Sequence, residues 1–169
     1  ADGNLYVTSR GTGEVLRFDG STGTFIDVFV SANSGGLDGA TGLVFGPDGN
    51  LYVCSGATDE VLRYDGATGA FIDAFVTASS GGLDFPYRLT FGADEQLYVA
   101  NYRTDEVRRF DGATGAFIDA FVSAGSGGLN APNDVTFGPN GYLYVSGALS
   151  DEILRFDGST GAFIDAFVT

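Results

Sequence analysis

Short apolar runs of three to six residues, cut by clusters of glycine, aspartate and proline, make up most of this chain. Leu43-Val44-Phe45 is followed by Gly46-Pro47-Asp48-Gly49, and Leu51-Tyr52-Val53 comes next. A short polar loop leads to Val61-Leu62-Arg63-Tyr64, the tight sequence Asp65-Gly66-Ala67-Thr68-Gly69 follows, and Phe71 to Val76 ends the unit. β-Branched and aromatic residues fit a pleated surface, and Asp-Gly clusters favour hairpin turns. No stretch has helical spacing with helix caps. The pattern predicts four strands, here named a to d, and an all-β chain.

The unit repeats. Asn4-Leu5-Tyr6-Val7 returns as Asn50-Leu51-Tyr52-Val53, and then as Leu97-Tyr98-Val99 and Leu143-Tyr144-Val145, at an offset of 46 residues. The twelve residues from Asp65 to Val76 recur letter for letter from Asp111 to Val122. A unit of about 40–50 residues with four strands predicts a blade of a β-propeller, in which neighbouring blades bury both faces of each sheet. One domain of about 3.75 blades is expected: blade 1 over 1–30 without its inner strand, blade 2 over 31–76, blade 3 over 77–122 and blade 4 over 123–169.

Phe45-Gly46-Pro47-Asp48-Gly49-Asn50-Leu51-Tyr52-Val53 and Val61-Leu62-Arg63-Tyr64-Asp65 resemble NHL-type blades, and are similar to the related gluconolactonase-like and streptogramin-lyase-like propellers. The resemblance spans the whole chain and implies blade order rather than activity, because one fold hosts many functions. The near-identical copies resemble bacterial secreted or cell-surface repeat proteins, which implies an extracellular or cell-surface location. Enzymes among these families use histidine, or acidic and amide ligands at the propeller axis.

Composition narrows the chemistry. There is no histidine, lysine, methionine or tryptophan, all eight basic residues are arginine, and the net charge is −14. Such a surface repels phosphate backbones and anionic lipid, so neither nucleic acid nor a membrane is expected as a partner. Without histidine the usual near-neutral acid–base group is missing. Cys54, the one cysteine, stands where the other copies have Thr8, Ala100 and Ser146, which predicts a small packed side chain. The opening residues carry no signal-peptide pattern.

In a meander the b–c and d–a loops share one face, and the copies differ mostly there. Blade 3 departs furthest from the others. Tyr87, Arg88, Asn101, Tyr102 and Arg103 should converge on that face, and Arg108 replaces the leucine found at 16, 62 and 154. Arginine and tyrosine make a strong contact pair, suited to a carboxylate, a sugar or an acidic protein loop. The competing reading, drift in tolerant loops with arginines answering local aspartates, weighs somewhat more, since surface ion pairs contribute little.

Asn133 and Asp134 are the weak metal candidates, being the one acid–amide pair at the axis. A divalent cation wants several oxygens, and an Asx turn entering strand a accounts for the pair better. No cofactor is expected. The aspartates of strand d (Asp27, Asp73, Asp119, Asp165) read as charges that discourage edge-to-edge pairing.

Together these readings favour a non-enzymatic scaffold or interaction module that assembles with itself, a homodimer being favoured. A lectin-like module on the variable face and a degenerate metal-dependent lactonase or lyase are the alternatives.

Overall fold

Strand-forming residues end wherever a turn demands positive φ. Gly49 (φ 81°) closes the a–b turn of blade 2, and Gly69 (φ 72°) closes its c–d turn. The c–d turn is further held by Asp65, whose Oδ1 accepts the N–H groups of Ala67 and Thr68 and the Thr68 hydroxyl, at 2.8 to 3.0 Å. The same turn recurs at Asp19, Asp111 and Asp157.

The computed structural model describes residues 2–169. Blade 1 holds β1 (Asn4–Ser9), β2 (Glu14–Asp19) and β3 (Phe25–Val30). Blade 2 holds β4 (Ala40–Phe45), β5 (Leu51–Ser55), β6 (Glu60–Tyr64) and β7 (Phe71–Val76). Blade 3 holds β8 (Pro86–Phe91), β9 (Leu97–Asn101), β10 (Glu106–Phe110) and β11 (Phe117–Val122). Blade 4 holds β12 (Pro132–Phe137), β13 (Leu143–Gly147), β14 (Glu152–Phe156) and β15 (Phe163–Val168). Each blade is one antiparallel sheet in sequence order, three-stranded in blade 1 and four-stranded in the others. The only helical pieces among the described residues are three 3-10 turns, at Ser34–Gly36, Ser80–Gly82 and Ser126–Gly128. None is long or apolar enough to cross a membrane.

Strand a is longer than its apolar run. β4 starts at Ala40, which pairs with Ser55 across an irregularity before Leu43 resumes the register. Thr41 and Gly42 break the apolar pattern, so periodicity alone misses this start. Thr41 is buried because its hydroxyl donates across the junction to the Pro86 carbonyl at 2.9 Å.

The core lies between blades. Three apolar clusters fill the successive junctions, for example Val15, Val30, Leu37, Leu51, Val53, Leu62 and Tyr64 between blades 1 and 2. A tyrosine of strand b pins each junction. Tyr52 meets Phe75 of its own blade and Phe91 of the next, edge to face, at 4.9 and 5.1 Å between ring centroids. Tyr98 repeats this with Phe121 and Phe137. Each such pair adds about 0.5–1.5 kcal/mol to the area it buries. The tyrosine hydroxyl donates to the a–b turn aspartate, as in Tyr98 to Asp94 at 2.9 Å.

The aspartates of strand d are not free edge charges. Asp27, Asp73, Asp119 and Asp165 each accept two hydrogen bonds from an arginine of strand c (Arg17, Arg63, Arg109 and Arg155). The arginine in turn lies over an aromatic ring, as Arg63 does over Phe75 at 5.0 Å. The aspartates remain about half exposed on the outer strand, and the arginine partner is a feature the sequence reading did not include. The i to i+10 spacing places the two side chains opposite each other across a hairpin, where opposite charges attract.

The four sheets pack in series and leave the arc open at both ends. Phe75, Val76, Phe121 and Val122 are at most 7% exposed, whereas their counterparts Phe167 and Val168 are 54% and 46% exposed. At the other end Leu5 and Val7 are 53% and 39% exposed, against 0% for Leu51 and Val53.

Candidate functional site

The variable face is built by zipping two loops of one blade together. The d–a loop turns back through a residue at positive φ, namely Gly39 (63°), Phe85 (57°) or Ala131 (52°). Its carbonyls accept the N–H groups of the b–c loop: Tyr102 to Phe85 at 3.2 Å, and Ala148 to Ala131 at 2.9 Å. Loop positions in the same register are Arg10, Gly56, Tyr102 and Ala148 from the b–c loops and Thr41, Tyr87 and Asn133 from the d–a loops, and all of these but Gly56 and Thr41 line one cleft.

Phe85 stands apart. Left-handed backbone is natural for glycine and a rare outlier for a bulky aromatic. The conformation is held by Asp59 of the preceding blade, whose carboxylate accepts the Phe85 N–H at 2.8 Å. Around the ring lie two guanidinium groups, Arg10 at 5.1 Å and Arg103 at 4.9 Å from its centroid. Tyr102 meets it edge to face at 5.9 Å, and Tyr87 stacks on Tyr102 at 5.5 Å. These residues, with Asn133 and Ala148, line a cleft of about 310 Å³ shared by blades 1, 3 and 4.

The sequence-derived candidates divide. Tyr87, Tyr102 and Arg103 come together in this cleft. Asn101 does not: it is fully buried, its Oδ1 accepts the Asp84 N–H at 2.8 Å, and its Nδ2 donates to the Gly82 carbonyl and the Thr104 hydroxyl. Arg88 lies outside the lining, with Nε 3.9 Å from Asp134. Arg10, Phe85 and Asn133 complete the cleft, and Arg10 and Phe85 were not singled out in the sequence. The available signal was register, since Arg10 occupies the position of Tyr102, and Phe85 that of Gly39.

Asn133 and Asp134 bind different partners. Asn133 Oδ1 accepts the Ser146 hydroxyl at 2.6 Å, and Asp134 Oδ1 accepts the Val135 N–H at 3.0 Å. Among the described residues no three acidic or cysteine side chains are grouped to hold a metal. Cys54 is fully buried, and burial pushes its thiol up to about 12, far from a nucleophile's range. Three larger clefts, of about 640, 490 and 480 Å³, recur between neighbouring blades on the opposite face. They are lined mainly by the repeated turn residues, Glu95 and Gln96 of blade 3 being the departure from the repeat.

Fold and repeat define a β-propeller domain. No protein-family model matches the sequence, and no curated protein does. Solved β-propeller structures match it at a level that shows the fold alone. Hydrazine synthase of Kuenenia stuttgartiensis superposes with a TM-score of 0.75 at 18% identity, over 99% of this chain and 46% of that one. A chain of a nidogen/laminin complex gives 0.73 at 19%, over 99% and 60%. Virginiamycin B lyase from Staphylococcus aureus gives 0.70 at 15%, over 98% and 53%. The chain thus spans about half the length of the structures it matches.

Proposed function

We propose that this chain is a non-catalytic propeller module of the NHL blade type that joins a second copy of itself through its end faces. One observation carries this reading: apart from the strand-a contribution that the three-stranded blade 1 does not make, the end faces match the two halves of the junction that the molecule already makes three times. Phe167 and Val168 present what Phe121 and Val122 present to blade 4, and Leu5 and Val7 present what Leu51 and Val53 present to blade 1. Exposed apolar faces of this kind normally mark an interface. Two copies meeting head to tail at both ends would make a ring of eight blades, a heterologous contact that closes. The absence of histidine, the buried thiol and the lack of grouped metal ligands among the described residues support a module without chemistry of its own.

A glycine supplies the sharpest test. An added Cβ at Gly69, Gly115 or Gly161 would lie 1.8–1.9 Å from the carbonyl of Phe29, Phe75 or Phe121 in the preceding blade. At Gly23, the counterpart in blade 1, nothing lies within 4 Å. In a head-to-tail pair Gly23 would face Phe167 of the second copy. Gly23→Ala should therefore spare the monomer, apart from about 1 kcal/mol of left-handed strain, and block association. Light scattering at micromolar concentration should give about twice 17.5 kDa for the parent chain and 17.5 kDa for Gly23→Ala and for Phe167→Asp. A parent mass that stays at 17.5 kDa, or variants that keep the doubled mass, would overturn the proposal. Chelator-sensitive turnover of a lactone, lost in Asp134→Asn, would overturn the non-catalytic part.

A further inference from the structure

We propose that the cleft at the mouth of the axis binds an acidic sugar, a pyranose ring bearing a carboxylate, with Arg10 and Arg103 taking the anion. The site is separate from the end faces of the association described above.

The charge pattern is the first argument. Seven of the eight arginines have an acidic neighbour within 4.0 Å: Arg17, Arg63, Arg109 and Arg155 on the strand-d aspartates, Arg88 on Asp134, Arg103 on Asp84 and Arg108 on Glu106. Arg10 alone has none among the described residues. In a chain with 22 acidic residues, the one unanswered guanidinium lies against Phe85, and a second lies against the same ring. Arg103 meets Asp84 at 3.2 Å with both side chains about half exposed, so a ligand carboxylate can displace that contact cheaply. The planar donors of one guanidinium match the two oxygens of a carboxylate, and a second guanidinium against the same ring adds positive charge nearby.

The lining is the second argument. Tyr87, Tyr102 and Phe85 offer flat apolar surface with little side-chain entropy to lose. Beside them stand polar groups that make no hydrogen bond among the described residues: the hydroxyls of Tyr87 and Tyr102, and the Asn133 amide nitrogen, whose oxygen is already turned to Ser146. Apolar ring surface with free donors and acceptors suits a ligand with an apolar ring face and a rim of hydroxyls. A plain aromatic acid would leave those polar groups unanswered.

The backbone is the third. A bulky aromatic in left-handed backbone costs of order 1–3 kcal/mol, and such strain gathers at binding sites. The same loop folds with Gly39 in blade 2, so folding does not require Phe85. Its presence gives both arginines one ring to lie against.

The test is ligand-observed NMR with glucuronate and galacturonate as probes, and glucose, galactose and benzoate as comparisons. A sugar acid of this size should bind with roughly millimolar affinity. The neutral sugars should bind about tenfold more weakly, and Arg10→Gln and Arg103→Gln should each cost about tenfold. Phe85→Gly should abolish binding while raising or preserving the melting temperature, because it restores the residue that blade 2 uses. Arg88→Ala should leave binding unchanged. Equal binding of benzoate and the uronates would overturn the sugar assignment. Absent binding, or binding indifferent to Arg10→Gln and Arg103→Gln, would overturn the site. If those two variants change only the mass measured by light scattering, the cleft serves self-association and the ligand proposal is wrong.

Discussion

Single residues show where one copy of a repeat can depart from the others. Arg108 stands in β10 where three blades have leucine, and its cost is visible. Its side chain is only 15% exposed, its Nε is buried without a hydrogen-bond partner, and its one ionic partner is Glu106. The other blades carry Glu14, Glu60 and Glu152 beside a leucine, so that glutamate does not need an arginine. Leucine at this position removes the unpartnered Nε and leaves Glu106 in the setting that Glu14, Glu60 and Glu152 already occupy. Arg108→Leu is therefore expected to raise stability by about 1 kcal/mol in urea denaturation. A loss of that size would show that Arg108 is held by something the leucine blades lack. Asn101 makes the opposite point. Sequence placed it in a contact cluster, and the structure spends its amide on joining two loops, because a side chain at the end of a buried strand turns to the nearest unpaired backbone groups.

At the scale of the element, strand b carries the junctions. Tyr98 is held between Phe121 and Phe137, whereas Tyr144 meets Phe167 alone. Truncating a fully enclosed ring removes contacts on both sides. In the monomeric Gly23→Ala background, Tyr98→Ala should thus cost about 3–5 kcal/mol, and Tyr144→Ala clearly less, in denaturant unfolding. Equal costs would mean that the end face is covered as well as an internal one. Strand existence was legible from the apolar runs and turn residues, but the Arg–Asp pairs across strands c and d were not read. Both residues are plain in the sequence, and only the hairpin register, Arg63 opposite Asp73, makes them neighbours.

At the scale of the molecule, the c–d turns couple the fold to acid. The hydroxyls of Ser21 and Thr22, with their backbone N–H groups, hold Asp19 at about 2, and the equivalent bonds lower Asp65, Asp111 and Asp157. A carboxyl that is more acidic when folded binds fewer protons than in the unfolded chain. It stabilises the fold above the ordinary carboxylate range and ceases to do so as pH falls through its folded value. The melting temperature should therefore drop between about pH 4 and pH 2, and drop less steeply in the Asp65→Asn, Asp111→Asn double variant. A parallel fall in both proteins would assign the acid loss to other groups.

The all-β class, the 46-residue period, the blade order and the three strands of the first blade were all readable from the chain. Each rests on local chemistry: an apolar run long enough for a strand, an Asp-Gly turn, a copy that matches its neighbour. The exposed ends of the arc follow from tertiary packing, and the cleft was readable only in part: Tyr87, Tyr102 and Arg103 were placed together, Arg10 and Phe85 were not. Leu5 and Leu51 are the same residue in the same local sequence, and one is exposed while the other is buried only because a blade stands against the second. Arg10 and Phe85 are 75 positions apart, and their meeting depends on the angle each junction adds around the axis. Local sequence sets the blade, and the sum of the junction geometries decides which blades meet.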